Sequence, residues 1–125
     1  MNNVYIKYLL YSANGSDRRL KLVSTGPDKL QIPYYDISKL DPNKNTTEIK
    51  DILKHIYTKY FNVDFSWTFQ RILGVEINQN DTDLDVNIYY ASSISEQLPM
   101  KTGYWFDVTD FITDYPELRY IAGSK

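Results

Sequence analysis

The sequence predicts an α+β fold, in which a mixed β-sheet packs against one central amphipathic helix and a C-terminal helix. Apolar residues recur with helical spacing over residues 46–61. Runs of β-branched and aromatic residues lie on both sides of that segment, separated by turn-rich stretches. Because 125 residues is the length of one domain, we expect residues 1–125 to share one core.

The first third of the chain predicts two strands and a short extended piece. Residues 4–12 are rich in aromatic and aliphatic side chains, and the Asn-Gly turn at 14–15 indicates a β-hairpin whose second strand is 18–24. The stretch "LQIP" at 30–33 is expected to be extended, because proline disfavours the helical conformation in the residue before it. Residues 34–44 show no regular period, so we predict an irregular loop there.

The central helix is the most regular feature of the sequence. Asn45 is the predicted N-cap, because Glu48 lies three residues later and can reach back as in a capping box. Asn62 is expected to end the helix in the left-handed conformation. The following residues form the predicted buried stripe: Ile49, Ile52, Leu53, Ile56, Tyr57, Tyr60 and Phe61.

The last part of the chain predicts a hairpin, a further strand and a helix. Residues 65–78 and 83–93 are long β-prone runs, and the short turn between them indicates antiparallel neighbours. Residues 103–108 form one more predicted strand. The tail at 109–123 resembles a helix, with a proline near its first turn and a glycine at its end.

Composition excludes several classes of function. The chain is 42% hydrophobic and 24% charged with a net charge of −2, so we expect neither general nucleic-acid affinity nor attraction to a membrane. The absence of cysteine excludes disulfides and thiolate chemistry. The apolar run near the N-terminus is short, is interrupted by Lys7 and lacks a basic leader, so we expect a cytoplasmic protein.

The order of elements, together with three local stretches, carries a family resemblance. "LQIPYYD" precedes the helix, "HIYTKYFNV" forms its second half, and "GYWFDVTDF" provides a tryptophan-containing strand before the last helix. In this layout the chain resembles the Nudix fold, whose motif is written G-x5-E-x7-R-E-U-x-E-E-x-G-U, where U is a bulky aliphatic residue. The resemblance implies hydrolysis of nucleoside diphosphate derivatives with Mg²⁺ or Mn²⁺.

The chain departs from the family motif at the positions that bind metal. Fixing Asn62 at the last glycine of the motif puts Lys59 and Tyr60 where the family has its two metal-binding glutamates. The two glycines that follow the proline in the family are replaced by Tyr34 and Tyr35. Because Mg²⁺ needs several clustered oxygen ligands, we expect no bound metal and no catalytic residue of the family type.

Two alternatives for the helix acids and the histidine stay open. Glu48, Asp51 and the strand residue Glu76 could supply the ligands of a divergent Mg²⁺ or Mn²⁺ site. Otherwise Glu48 and Asp51 only favour the positive N-terminus of the helix. His55, the one histidine, could act as a general acid or base, or lie at the boundary between the buried and solvated faces of the helix.

Aromatic and basic side chains are the remaining candidates for ligand binding. Aromatic rings can stack on a nucleobase, and they also fill sheet cores and protein interfaces. An arginine pair after the first turn could meet phosphate or form a solvated hairpin end. These candidate residues are Tyr34, Tyr35, Trp67, Tyr90, Trp105, Arg18 and Arg19.

The sequence therefore favours a non-catalytic Nudix-like binding domain, with a protein partner or a second copy as its ligand. We expect Tyr34, Tyr35, Ile56 and Tyr60 to fill the volume that phosphates and metal occupy in the family. The alternatives are a divergent hydrolase and a sensor of nucleotide or ADP-ribose ligands.

Overall fold

One mixed β-sheet and one helix form the described part of the chain. The structure, a computed structural model, describes residues 2–12, 21–41, 43–44, 46–62, 64–65, 70–95 and 98–107. Its strands are β1 (Asn2–Ser12), β2 (Lys21–Ser24), β3 (Tyr34–Asp36), β4 (Gln70–Gln79), β5 (Leu84–Ser93) and β6 (Tyr104–Asp107). A 3-10 helix (Ile37–Lys39) follows β3, and helix α1 (Ile49–Tyr60) connects this part of the chain to β4.

Strand β1 lies at the centre of the sheet. The strand order is β4-β5-β1-β2-β6, and β3 pairs with β1 beside β2. The pairing of β1 with β5 is parallel, whereas β2, β3 and β4 pair with their neighbours in the antiparallel direction. A mixed sheet packed against a helix confirms the predicted α+β class.

The two faces of the sheet bury different sets of side chains, because successive residues of a strand point to opposite faces. The face against α1, here called the helix face, contributes Ile6, Tyr8 and Leu10 of β1 to a core with the helix. The opposite face, here called the far face, buries Leu9, Leu22, Leu30, Tyr89 and Ala91 together. The sheet is therefore apolar on both sides near β1.

The buried stripe of α1 follows the sequence prediction. Five of the seven predicted residues lie buried within the helix itself: Ile52, Leu53, Ile56, Tyr57 and Tyr60. Phe61 is also buried, just beyond the last helical turn. The helical period thus identified the packed face correctly.

The predicted N-cap of α1 is wrong, and the helix ends one residue earlier than predicted. The helix begins at Ile49 with Glu48 as its N-cap, and the Glu48 side chain makes no capping hydrogen bond. Its carboxylate lies 3.2 Å from Nζ of Lys50, and Asn45 lies outside the described residues. At the other end the cap is Phe61 in an extended conformation, one residue before Asn62.

Phe61 ends the helix, and its ring and backbone reach partners outside it, at Trp105 and Met100. The ring centre lies 5.5 Å from that of Tyr57 and 6.2 Å from that of Trp105. The Phe61 backbone forms a β-bridge with Met100. Tertiary packing of an aromatic side chain therefore decided where the helix stops, and local propensity did not.

The segment 34–44 is also more regular than predicted. Tyr35 pairs with Ile6 of β1, which makes 34–36 a strand, and the Asp36 side chain then caps the 3-10 helix. The preceding "LQIP" piece lies outside the regular strands, but the Pro33 carbonyl accepts a 2.9 Å hydrogen bond from the backbone N–H of Tyr8. The pairing partner needed for β3 lies almost thirty residues away in the sequence, so local pattern could not reveal it.

The predicted hairpin of β4 and β5 is confirmed, and it contains a β-bulge. The two strands pair antiparallel along their length, with a shift in register between Ile72 and Gly74 that leaves Leu73 as the extra residue. The predicted turn at 14–15 and the C-terminal helix at 109–123 lie outside the described residues. Within the described residues, α1 and the 3-10 helix both lack the length and apolarity that a membrane-spanning helix needs.

Replacing Leu53 tests the packing of α1 on the sheet. Leu53 is completely buried in the helix-side core. We expect Leu53→Ala to lower the free energy of unfolding by about 2 to 5 kcal/mol, because it removes buried methyl groups and leaves a cavity. Lys54→Ala, at the adjacent exposed position, is the control and should change it by about 0.5 kcal/mol or less. Equal effects in urea denaturation would contradict the described helix orientation.

Stability should fall in alkaline solution. Burial raises the pKa of the Tyr8, Tyr57 and Tyr60 hydroxyls in the folded protein. Above about pH 10 these tyrosines ionise in the unfolded chain while they stay neutral in the folded one, which favours unfolding. We expect the free energy of unfolding to decline above about pH 10, and Tyr57→Phe to make that decline shallower. Urea titrations across this range measure both slopes, and a decline that is identical in the variant would contradict the prediction for Tyr57.

Candidate functional site

A groove runs along α1 between the helix and the segment that contains β3 and the 3-10 helix. It consists of two adjoining cavities of about 290 and about 280 Å³. Tyr35, Lys39 and His55 line both of them. We call the two cavities together the helix groove. The larger one is the Lys59 cavity and the smaller one is the Asp51 cavity, each named after a residue that lines it and not the other.

Strand β3 sets the outer wall of the helix groove. Its pairing with β1 holds Tyr35 beside α1, where the Tyr35 ring meets the His55 ring edge-on, with ring centres 5.8 Å apart and planes at 88°. Immediately afterwards, Asp36 turns the chain into the 3-10 helix that carries Lys39. Two residues separated by sixteen positions, Lys39 and His55, are thereby brought to one groove.

Positive side chains outnumber carboxylates in the Lys59 cavity. Lys39 and Lys59 line it, and of its described lining residues Asp36 alone carries a carboxylate. The Ser38 hydroxyl and backbone N–H donate to Asp36 Oδ1 at 2.8 and 3.0 Å and hold the pKa of the Asp36 carboxyl below its ordinary value. That carboxylate is therefore ionised at neutral pH and already accepts two hydrogen bonds.

Acids and lysines balance each other in the Asp51 cavity. Asp41 and Asp51 line it together with Lys39 and Lys44. One Asp41 oxygen accepts a 2.9 Å hydrogen bond from the backbone N–H of Asn43. Among the described residues of the Asp51 cavity, the two carboxylates are thus matched by two lysines.

The acids of the alternative metal site are not brought together. Asp51 lines the helix groove, but Glu48 is an exposed cap residue beside Lys50. Glu76 pairs across the hairpin with Asn87 and accepts hydrogen bonds from Asn87 Nδ2 at 3.3 Å and the Tyr89 hydroxyl at 3.4 Å. Since Tyr89 belongs to the far-face core, Glu76 lies on the side of the sheet opposite α1.

A divalent metal of the family type does not fit the described helix groove. Mg²⁺ and Mn²⁺ prefer several oxygen ligands around one point. Among the described residues, no three His, Cys, Asp or Glu side chains lie close enough together to hold a metal ion. Lys39 and Lys59 also bring positive charge to the Lys59 cavity, which opposes the binding of a divalent cation there.

The aromatic candidates separate into two groups. Tyr35 faces the Lys59 cavity; Tyr34 also borders it, but the Tyr34 ring, 59% exposed, lies on the far face with its centre 5.6 Å from that of the Tyr5 ring. Tyr90 and Trp105 pack against the helix-side core, which gives them a role in packing. The remaining candidates, Trp67, Arg18 and Arg19, lie outside the described residues.

The expectation that bulky side chains fill the family pocket is wrong for the described groove. Ile56 and Tyr60 are 4% and 3% exposed, because they turn towards the core under α1. The Tyr34 ring points to the far face, and Tyr35 forms a wall of the groove. A cavity of about 290 Å³ therefore remains among these four residues.

Sequence patterns did not identify the lysines and acids of the groove as a group. Lys39, Lys44 and Asp36 fall in the segment that was predicted as an irregular loop, so nothing placed them against α1. Lys59 was identified only as a residue that replaces a metal ligand. The one usable signal was the sequence "DIS" at 36–38, in which an aspartate two residues before a serine favours a tight, side-chain-capped turn.

A larger concavity of about 710 Å³ lies on the other side of β3. Tyr34 borders both this concavity and the Lys59 cavity. Two lysines, Lys7 and Lys29, and one carboxylate, Asp85, are among the described residues that line it, and Lys7 Nζ lies 5.7 Å from the centre of the Tyr89 ring on the far face. We call it the Lys7 concavity; it offers a second place where a ligand could meet a lysine and a tyrosine.

Comparison with known proteins identifies the fold. No protein-family model matches the sequence, and no curated protein matches it significantly. Among solved structures, the NUDIX domain of Shewanella oneidensis NrtR complexed with ADP ribose matches with a TM-score of 0.65 and 12% identity, over 98% of this chain and 88% of that one. The C. elegans Ap4A hydrolase matches with a TM-score of 0.55 and 10% identity, over 98% of both chains.

A MutT/nudix family protein from Enterococcus faecalis matches with a TM-score of 0.58 and 17% identity, over 86% of this chain. This chain spans 44% of the length of that protein. At such low identities the matches establish architecture alone. The chain has a Nudix-like α+β fold.

Proposed function

We propose that this protein is a Nudix-like binding domain that works without metal-dependent hydrolysis. Its ligand is a small molecule that combines a phosphate with an aromatic ring, as nucleotides and ADP-ribose do. The ligand lies in the helix groove, with its phosphate in the Lys59 cavity. The charge of that cavity, two lysines and one carboxylate among the described lining residues, is the observation that carries the proposal.

Electrostatics favours an anion over a divalent cation in the Lys59 cavity. A unit charge about 4 Å from a like charge is destabilised by roughly 1 to 4 kcal/mol under surface-like screening, and a divalent ion by about twice that. A phosphate at the same position is attracted by Lys39 and Lys59 and gains charge-assisted hydrogen bonds. The single carboxylate, Asp36, already accepts hydrogen bonds from Ser38.

Aromatic side chains supply the second half of the recognition. Tyr35 lines the same cavity as the lysines, and its half-buried ring can stack on a base. The two parts of the groove, about 290 and about 280 Å³, together have the size of a typical small-molecule site. The solved NUDIX domain of NrtR was complexed with ADP ribose, which makes ADP-ribose the first ligand to test.

A protein partner and a divergent hydrolase are the other functions that the sequence suggests. The sequence favours a protein partner on the ground that bulky side chains fill the pocket, whereas the helix groove contains a cavity of about 290 Å³. A divergent hydrolase would need Glu48, Asp51 and Glu76 around one metal ion, but Glu76 lies on the far face and Glu48 is beside Lys50.

Removing a groove lysine should weaken ligand binding. We expect ADP-ribose to bind in isothermal titration calorimetry with EDTA present, and Lys59→Met to raise Kd about tenfold or more, because a charged hydrogen bond to phosphate is lost. Lys54→Met, on the same helix at an exposed position outside the groove, is the matched control and should leave Kd unchanged. Lys7→Met tests the Lys7 concavity. A loss of affinity in Lys7→Met but not in Lys59→Met would put the ligand on the far side of β3 and contradict the groove assignment.

Nucleoside diphosphate derivatives should stay intact in the presence of the protein. We expect no product from ADP-ribose with Mg²⁺ or Mn²⁺, since the described groove does not gather the carboxylates that metal-dependent hydrolysis needs. Release of AMP, measured by chromatography and abolished by Glu48→Gln or Asp51→Asn, would show a divergent hydrolase instead. Asp28→Asn, at an exposed acid outside the groove, is the control for the two variants.

A further inference from the structure

Strand β4 presents an apolar row to solvent at the edge of the sheet. Among the described strands it pairs with β5 alone. Ile72, Val75 and Ile77 are 58%, 56% and 60% exposed, which places them among the most exposed large apolar side chains of the described chain. An exposed apolar edge strand can take up another strand, because its backbone groups offer a second hydrogen-bonding ladder.

These three side chains share the helix face of the sheet. Directly opposed residues of an antiparallel pair point to the same face. Ile72 is opposite Tyr90 and Val75 is opposite Ile88, both of which pack against the helix-side core. Ile77 follows Val75 by two positions and so points the same way.

The β-bulge makes the face pattern of β4 symmetrical. Leu73 packs against the far-face core, and the next residue, Gly74, is opposite the far-face residue Tyr89. Two consecutive residues thus lie on the far side, with Ile72 and Val75 on the helix face immediately outside them. In a regular strand successive residues point to opposite faces, so two consecutive residues never share a face. The pattern of faces then has no symmetry about a point between two residues.

The charges of β4 follow the same symmetry. Arg71 is opposite the far-face residue Ala91, and Glu76 is opposite Asn87, next to the far-face residue Tyr89 along β5. Arg71 and Glu76 are equally distant from the point between Leu73 and Gly74, and they carry opposite charges. Both side chains are exposed while they contact their own chain, Arg71 at the Tyr11 hydroxyl and Glu76 at Asn87.

We propose that β4 pairs with β4 of a second copy, antiparallel, about a two-fold axis between Leu73 and Gly74. In this register Ile72 lies opposite Val75 of the second copy on the helix face, and Arg71 lies opposite Glu76 on the far face. Each pair occurs twice because the interface is isologous. The two sheets become one continuous sheet, and the exposed apolar row is partly covered.

A second copy fits this edge better than an unrelated strand does. Residues equally distant from the point between Leu73 and Gly74 share a face, and the two charged ones carry opposite charges. Strand β4 is therefore complementary to itself, a property that binding to a different chain does not require. One strand pair is smaller than the roughly 800 Å² per partner of a standard interface, so the dimer is weak and concentration-dependent. The proposal involves the edge opposite to β6 in the strand order and is independent of ligand binding in the helix groove.

Charge reversal tests the register. In sedimentation equilibrium up to about 1 mM protein, we expect a monomer–dimer equilibrium whose Kd rises about tenfold in Arg71→Glu and in Glu76→Arg, because each places like charges opposite one another twice. The double variant, Arg71→Glu with Glu76→Arg, restores the opposite-charge pairs and should return Kd to within about threefold of the original. Lys54→Glu, a charge reversal on α1, is the control and should leave Kd unchanged. Circular dichroism verifies that each variant is folded.

Cysteine cross-linking gives a second test, which the absence of native cysteine permits. Directly opposed strand residues have a spacing that suits a disulfide. We expect a mixture of Ile72→Cys and Val75→Cys chains to form the mixed disulfide at least about tenfold faster than either variant alone forms its own. A chain that stays monomeric at about 1 mM, a dimer insensitive to both charge reversals, or mixed and self-disulfides forming at equal rates would each overturn the proposal.

Discussion

Burial of the α1 stripe against β1 is the constraint on which the rest of the described structure depends. Leu53 and Tyr60 of the helix and Ile6 and Tyr8 of the strand belong to one core, and this core fixes the height and rotation of the helix over the sheet. Because interiors are closely packed, the helix cannot turn about its axis without opening voids. The side chains that it presents to the groove are therefore fixed as well.

The helix groove arises because the chain returns to β1 before it enters α1. Strand β3 pairs with β1 at Tyr35, and the 3-10 helix then carries Lys39 back towards the helix. This short detour gives the Lys59 cavity an aromatic wall and one of its two lysines. A Nudix-like fold can thus keep its helix and its cleft whichever residues line the cleft, since the fold and the site depend on different side chains.

The β4 edge and the helix groove lie at separate places on the same sheet. The groove lies where α1 covers the sheet near β1 and β3, whereas β4 lies beyond β5 at one edge. The bulge at Leu73 changes which side chains face the solvent at that edge, so one extra residue sets both its apolar row and the symmetry of its charges. Ligand binding and self-association can be measured independently for this reason.

The sequence by itself determined the type and order of most described elements and the buried stripe of α1, because helical and strand periods are local properties of the chain. Only the tertiary structure decided where α1 begins and ends, since Phe61 leaves the helix to pack against Trp105, and only it turned residues 34–36 into a strand through pairing with β1. It also decided which charges meet. Lys39 and Lys59 share a cavity and Glu76 lies on the far face, because side chains distant in sequence become neighbours only through strand order and register.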